Sequence, residues 1–302
     1  MAEVSFPRLI RLRNAVRKTI PWAVIVTLLA VTVLPLLWVL RTAVTPPQQI
    51  FSDPGSLMPP AVTTGNFERV LGLMTTEEAI AASGTGARLD FPAALKNSFI
   101  VATLTTAGQI LFSAMAAYAF ARLRFPLRDK IFYLFLGALL VPPIATLIPN
   151  FVLIHDLGWL NTYQGIIAPR FLMTPFAVFF LRQFFLTIPA ELEAAARVDG
   201  AGRVRTFVSI ILPLSAGPLA TLGTLTYIIE WNEFLWPFVV GQQEGIRTLT
   251  VALGVFKSST PQGAPDWGGL MAGSLLSALP ILLVFLFFAR RTIRALTYTG
   301  IK

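Results

Sequence analysis

The sequence contains no cysteine and a single histidine, His155. Disulfides, thiolate metal sites, iron–sulfur clusters and cysteine nucleophiles are therefore excluded, and one histidine leaves no histidine cluster for a metal. Charged residues make up only 13% of the chain, against about a quarter in a typical soluble domain. Hydrophobic residues make up 55%, and the mean hydropathy is +0.70, too much apolar surface for one water-soluble core to bury. The composition predicts a membrane protein and excludes an intrinsically disordered chain.

The sequence also lacks the phosphate-binding pattern G-x-x-x-x-G-K-[ST]. The chain therefore does not bind and hydrolyse ATP by that route. Lys and Arg outnumber Asp and Glu by 24 to 15, but they form short clusters between long apolar runs. A nucleic-acid surface would instead be a basic face interleaved with aromatic residues. We expect no nucleic-acid partner, and we attribute the basic excess to the positive-inside rule of membrane proteins.

Six apolar runs are long enough to cross a bilayer as helices, which takes about 20 residues each. They cover residues 22–40, 98–121, 131–154, 165–185, 207–229 and 269–289. Five contain no charged residue, whereas the fourth contains Arg170 and reaches Arg182. The runs do not alternate as the strands of a β-barrel would, so we predict an all-α, polytopic membrane protein with six transmembrane helices. The predicted organisation is a basic N-terminal segment over 1–21 and a transmembrane domain over 22–302.

The ends of these runs predict the orientation of the chain. The first run is longer than the apolar core of a signal peptide, and no A-x-A-type site follows it, so we expect an uncleaved helix. Most Lys and Arg residues lie before the first run, within 122–130, within 182–205 and after the sixth run. This side is therefore predicted to be cytoplasmic, together with both termini. The first outside loop, 41–97, is rich in Pro and Gly, and we expect irregular chain with little packed core.

The cytoplasmic loop 187–206 reads TIPAELEAAARVDGAGRVRT. Pro189 can start a helix, Glu191 and Glu193 suit the positive end of its dipole, and Gly200 can end it. The loop is therefore predicted to form a short helix–turn–helix. From the residues alone it is either an element that docks in a partner's groove or a solvated turn between two spans.

The wider sequence around this loop reads ELEAAARVDGA and then FVSIILPLSAGPLAT. It resembles the EAA loop of the permeases of binding-protein-dependent ABC importers, whose pattern is roughly ELxEAAxxDGA followed by I-x-LP. Further stretches resemble the carbohydrate-uptake branch of that family: Asn97-Ser98, AAYAFARLRFP at 116–126, LGWLNTY at 157–163 and EWNEFLWP at 230–237. The resemblance covers about residues 20–302 and leaves 74–90 as an additional stretch that it does not explain.

The resemblance implies a type I ABC importer permease fold with a cytoplasmic coupling helix, and no catalytic, metal or cofactor site in this chain. It implies a sugar or sugar-like solute and a place in the cytoplasmic membrane of a bacterium or archaeon. Relatives assemble with a second, usually different, permease, an extracytoplasmic solute-binding protein and two ATPase subunits that bind ATP and Mg²⁺. Docking of the EAA loop on an ATPase subunit then couples ATP hydrolysis to alternating access.

The residues that the resemblance assigns to this coupling are Glu191, Glu193, Ala194, Ala195, Ala196, Asp199, Gly200 and Arg203. The C-terminal residues 298–302 are a second expected contact with the ATPase pair. One departure from the family pattern is Ala194, where relatives have the EAA glutamate. The corresponding contact therefore rests either on Glu193 or on Asp199 and the backbone.

Candidates for the solute pathway lie at the outer ends of the spans. Trp231, Asn232 and Glu233 either line the pathway or contact the binding protein, or the tryptophan belongs to an interfacial aromatic belt. Arg170 and Asn150 either face the pathway or lie at the outer interface. The competing function is a self-contained secondary transporter or channel. Spans without Asp or Glu argue against ion coupling of that kind.

Overall fold

The computed structural model describes residues 7–83, 89–258 and 266–297, and every regular element within these ranges is helical. The helices run in chain order as α1 (Pro7–Ala43), α2 (Gly65–Val70), α3 (Thr76–Ser83), α4 (Phe91–Arg122), α5 (Arg128–Gly137), α6 (Pro143–Asp156), α7 (Tyr163–Phe171), α8 (Pro175–Thr187), α9 (Ala190–Val198), α10 (Arg203–Thr206), α11 (Leu212–Leu214), α12 (Ala216–Trp231), α13 (Leu235–Val240), α14 (Leu249–Ser258) and α15 (Trp267–Thr297). Short 3₁₀ turns occupy Pro47–Gln49, Ala138–Leu140 and Glu244–Ile246, and Phe207–Ile211 forms a π-helical turn. The predicted all-α class is confirmed.

Within the described ranges, three helices are long and apolar enough to cross a membrane unbroken. They are Thr19–Ala43 in α1, the whole of α4, and Trp267–Phe287 in α15. Three helix pairs meet the same test together but are bent: Arg128–Leu140 with α6 by 97°, α7 with α8 by 44°, and Arg203–Leu214 with α12 by 78°. If each bent pair is one span, the six elements overlap the six predicted runs. The number of crossings stays a prediction.

The bends follow from proline and from a polar side chain. Proline has no N–H to donate and its ring clashes with the preceding turn, so a helix breaks or bends there. Pro142 stands at the first break and Pro175 just after the second, whereas Pro149 lies inside α6. At the third break the Ser215 hydroxyl donates to the Ile211 carbonyl at 2.6 Å, alongside the Ser215 N–H at 3.0 Å, and a side-chain bond of this kind often bends a helix. Hydrophobicity alone predicts the run but not this bend.

The larger of two compact units, residues 89–259 and 276–302, is built around α4. This helix packs against α7, α8, α12 and α14. Ala114 and Ala117 of α4 belong to one buried cluster with Leu181 and Phe185 of α8. At Gly108 a Cβ atom would lie 2.5 Å from the ring and the carbonyl oxygen of Phe171, so α4 and α7 approach more closely than any side chain allows.

The smaller unit comprises the described parts of residues 1–88 and 260–275. The first outside loop is not irregular throughout, as was expected, because it forms α2 and α3, and α2 contributes to a buried polar cluster. Arg69 and Asp266 form an ion pair at 2.8 Å, with side chains 3% and 1% exposed. Burial lowers the pKa of the Arg69 guanidinium, and the charge of Asp266 opposes that shift.

Asn66 completes this cluster. Its side-chain amide donates to the carbonyls of Ala43 and Thr45, each at 2.8 Å, which joins α2 to the end of α1. Asp266 also accepts from the Gly269 N–H at 2.9 Å and so caps the start of α15. Arg69 and Asp266 are 197 residues apart, a pairing that local composition does not indicate.

Candidate functional site

The loop 187–206 forms a helix, a tight turn and a second short helix. Helix α9 starts after Pro189 and ends at Val198. Gly200 follows with φ +80°, and the Ala201 N–H donates to the Ala196 carbonyl at 2.8 Å. This is the Schellman arrangement, in which a left-handed residue closes the helix end and which glycine adopts without strain. The chain then enters α10 and the π-helical turn.

The two faces of α9 differ. Glu191, Ala194, Ala195 and Val198 follow the i, i+3, i+4, i+7 spacing of one helical face, and all four are exposed. Val198 is 88% exposed. A face with three small or apolar residues and one acid fits the groove of a partner.

The other predicted coupling residues surround this face. Ala196 lies on the buried face of α9, whereas Asp199 and Gly200 are exposed at the end of the helix. Arg203 is exposed on α10 and lines a cavity of about 520 Å³ together with Arg124 and Arg197. The structure thus brings the predicted residues onto one helix–turn–helix with a basic flank. The expected second contact, 298–302, lies outside the described residues.

The Glu193 side chain contacts another helix of the same chain. Its Oε1 lies 3.0 Å from Nε of Arg122, at the end of α4, and the two side chains are 14% and 13% exposed. A second nitrogen of Arg122 donates to the carbonyls of Phe185 and Ile188 at the end of α8. Arg122 was not among the predicted site residues. Its position, at the end of an apolar run and before a basic turn, is the sequence feature that could have identified it.

A second polar cluster surrounds Arg170 near the end of α7. One guanidinium nitrogen lies 3.0 Å from Oε1 of Glu230, and another lies 2.5 Å from Oε2 of Glu233. Gln109 of α4 donates to the same Glu230 oxygen at 3.0 Å. The side chains of Arg170, Glu230 and Glu233 are 29%, 4% and 24% exposed. Arg170 therefore bridges two carboxylates, and an interfacial position with the head group in water does not describe it.

This cluster corrects one sequence-based expectation. The fifth run was predicted to end at Ile229, but α12 continues to Trp231 and includes Glu230. The helix that carries the fifth run therefore does hold an acid. Glu230 and Gln109 also line a cavity of about 440 Å³ with Arg170 and Thr226. Sequence reasoning missed both residues, because an apolar run ends gradually and Gln109 pairs with a group 121 residues away.

The remaining pathway candidates make none of the described contacts of this cluster. Trp231 is 3% exposed, donates from Nε1 to the Ser277 carbonyl at 3.2 Å and stacks with Tyr227. It packs inside the protein, so neither a pathway wall nor an aromatic belt describes it. Asn232 is exposed, with its amide on the Ile228 carbonyl, and Asn150 is half-buried on α6. Among the described contacts, no hydrogen bond or ion pair joins Asn150 to Arg170.

Three sequence stretches of the expected family meet in a third polar cluster. The Asn97 amide donates to the carbonyls of Gly245 and Arg247, each at 3.0 Å, and its oxygen accepts from the Tyr163 hydroxyl at 2.6 Å. Trp236 donates from Nε1 to the Ile166 carbonyl at 3.1 Å. These contacts join α4, α7 and α13, so the three sequence stretches pack the helices against one another.

A family model described as "Binding-protein-dependent transport system inner membrane component" matches residues 109–297. The match covers more than half of the chain and includes α9 and the Arg170 cluster. The chain belongs to this family. It is an inner-membrane permease component of a binding-protein-dependent ABC importer, as the resemblance implied.

Curated relatives of this permease are similar over most of their length. A sn-glycerol-3-phosphate transport system permease protein, UgpE, of Pectobacterium atrosepticum is 34% identical over 253 residues, or 82% of this chain and 85% of the relative. A trehalose/maltose transport system permease protein, MalG, of Thermococcus litoralis is 36% identical over 215 residues, or 71% and 77%. The expected resemblance to carbohydrate-uptake permeases is confirmed.

The fold of the permease is also found in a solved structure. A crystal structure of a bacterial ABC transporter involved in the import of the acidic polysaccharide alginate matches with a TM-score of 0.73, covering 96% of this chain and 99% of that chain. At 20% sequence identity the match shows the fold alone. The type I importer permease fold is thereby confirmed.

Proposed function

We propose that this permease carries a sugar or sugar-like solute into the cell as one transmembrane subunit of a larger importer. A second, different permease, an extracytoplasmic solute-binding protein and two ATPase subunits complete the assembly. ATP and Mg²⁺ bind on the ATPase subunits, and hydrolysis there drives alternating access of the permease pair. The assembly lies in the cytoplasmic membrane of a bacterium or archaeon, with both termini of this chain in the cytoplasm.

The geometry of α9 is the observation that carries this proposal. A nine-residue helix ends in a glycine-closed turn and carries a face of small, exposed side chains. Val198 is almost fully exposed on the same face as Ala194 and Ala195. An ATPase cleft that receives this face would bury it, and rigid-body motion of the ATPase would then move the spans attached to the loop.

The Arg170 cluster supports a polar solute pathway. Gln109, Thr226 and Glu230 present hydrogen-bonding groups to one cavity, and the hydroxyls of a sugar both donate and accept. The names of the relatives fit this class, since one transports trehalose and maltose and another sn-glycerol 3-phosphate. Arg170, Glu230 and Glu233 are therefore the groups we assign to the solute-facing surface of this subunit.

The experiment compares ATP hydrolysis by the assembled complex in lipid, with and without solute-loaded binding protein. Gly200→Trp places a bulky side chain in the exposed turn and is expected to abolish the stimulation or release the ATPase subunits. Gly200→Ala adds only strain at φ +80°, because a Cβ there meets nothing within 4 Å, and it should have a smaller effect.

Gly202→Ala is the matched control. Gly202 has φ −71° in the same turn, a Cβ there also meets nothing within 4 Å, and stimulation should persist. If this chain purifies alone and moves solute without ATP, the proposal is wrong and a secondary carrier or channel replaces it.

A further inference from the structure

Arg122 joins three structural elements at the cytoplasmic end of the larger unit. It is the last residue of α4, its side chain reaches two backbone carbonyls at the end of α8, and it pairs with Glu193 in the first turn of α9. Both partners of the ion pair are largely shielded from water. A shielded ion pair is screened less by water and salt than an exposed one.

The chemistry of each contact suits the guanidinium. The last carbonyls of a helix have no partner within the helix, and the helix dipole places partial negative charge there. The carbonyls of Phe185 and Ile188 therefore attract a cation with several donors in a fixed plane. Nε of the guanidinium faces the Glu193 carboxylate at 3.0 Å, so a single side chain contacts both α8 and α9.

We propose that Arg122 is a positioning residue that fixes the coupling helix α9 to the ends of α4 and α8. This proposal rests on the proposed function, because it concerns how movement of α9 reaches the membrane helices. Glu193 is then the internal anchor of α9, and contact with the ATPase belongs to the opposite face, at Glu191, Ala194, Ala195 and Val198. Ala194 stands where the EAA pattern has its glutamate. Glu193 does not take over the contact of that glutamate with the ATPase.

The test uses the complete complex in lipid and measures the ratio of ATP hydrolysis with solute-loaded binding protein to hydrolysis without it. Glu193→Gln removes the charge that faces Arg122 and leaves the contacts with α8 in place. We expect the stimulation ratio to fall about tenfold, an effect between those of losing an exposed and a fully buried ion pair. Arg122→Gln should lower the ratio at least as far and should also lower the apparent Tm, since the α8 carbonyls lose their donor.

The double variant R122Q/E193Q separates positioning from general weakening. If both residues act through one contact, its stimulation ratio should be no lower than that of Arg122→Gln alone. Arg182→Gln is the matched control. Arg182 lies near the same end of α8, donates to the Phe120 carbonyl and lies over the Phe132 ring, and none of its described contacts reaches α9.

The outcomes are distinguishable. The inference is wrong if Glu193→Gln keeps the wild-type ratio, if the two single losses add, or if Arg182→Gln loses as much. Should Arg122→Gln fail to assemble, Glu193→Gln alone still decides. A wild-type complex that neither binds ATPase subunits nor responds to the binding protein would overturn the proposed function itself, a result that is separate from any difference between variants.

Discussion

Arg170 is the residue whose surroundings depart furthest from what its sequence context suggests. It lies in an apolar run, yet its guanidinium bridges Glu230 and Glu233, of which Glu230 is 4% exposed. Arg170→Gln leaves that buried carboxylate without its cation, and we expect a loss of about 3 kcal/mol in the free energy of unfolding. The apparent Tm of the purified complex in detergent would show it as a marked decrease.

The double variant R170Q/E230Q is the control for this prediction. Removing the charges of Arg170 and Glu230 leaves an amide facing an amide and Gln109, and part of the lost stability should return. The rest stays lost, because Glu233, which is 24% exposed, no longer has its cation. Equal losses in the single and double variants would contradict the assigned ion pair. Solute uptake, measured alongside, should fall in both variants, because the polar cavity loses charged groups in each.

Local sequence predicts that Glu193 lies in a helix but not the direction of its side chain. Its place in the first turn of a helix follows from Pro189, the acids and Gly200, all within eleven residues. The direction of its side chain depends on Arg122, which belongs to another helix. Sequence therefore predicts the helix but leaves both roles of the glutamate open.

At the scale of elements, α4 determines the packing of the larger unit through residues that have little or no side chain. Gly108→Ala would place a Cβ 2.5 Å from the ring and carbonyl of Phe171, so α4 and α7 must move apart. We expect a loss of about 1–3 kcal/mol, which is typical of overpacking. Thermal unfolding of the complex in detergent measures it.

Gly223→Ala on α12 is the matched control for that prediction. The nearest atom to a Cβ there, on Ile110, is 4.0 Å away, so alanine fits without displacement. Because alanine favours helix over glycine by roughly 0.5–1 kcal/mol, Gly223→Ala should be neutral or stabilising. Similar unfolding temperatures for the two variants would show that α4 and α7 do not approach as closely as described.

The bent helix pairs show what hydropathy does not predict. Three of the six predicted runs are interrupted, by bends of 97°, 44° and 78°. Proline marks two of these interruptions in the sequence, but a proline inside α6 causes no break. The bend before α12 combines a π-helical turn, Pro213 and the Ser215 hydrogen bond. Hydropathy records the run as continuous, because it sums over side chains and ignores backbone hydrogen bonds.

For the whole molecule, orientation is the property that follows most directly from charge. The chain has no cysteine, so single cysteine substitutions report accessibility without background. Met58→Cys, at a position 80% exposed in the first outside loop, should react with a membrane-impermeant maleimide in right-side-out vesicles. Lys130→Cys, in the basic turn, should react only after the membrane is opened. The reverse labelling pattern would invert the predicted topology.

Helix α1 indicates how the molecule meets its surroundings. Its part over residues 22–40 holds no charged residue, and its side chains at Trp22 and Val31 are 69% and 65% exposed. Such a helix faces lipid or another apolar subunit. This is the property expected of a permease that works inside a larger assembly.

Local sequence is sufficient to predict an all-helical membrane protein, and the EAA-like stretch is sufficient to predict the permease family. Hydrophobic runs, basic flanks and the Pro189–Gly200 pattern are local signals, and each acts over a turn or a bilayer thickness. Tertiary folding is what pairs Arg170 with Glu230, Arg122 with Glu193, and Arg69 with Asp266. Buried charges need partners wherever folding brings them, and those partners lie on helices distant in the chain, where no local pattern records them.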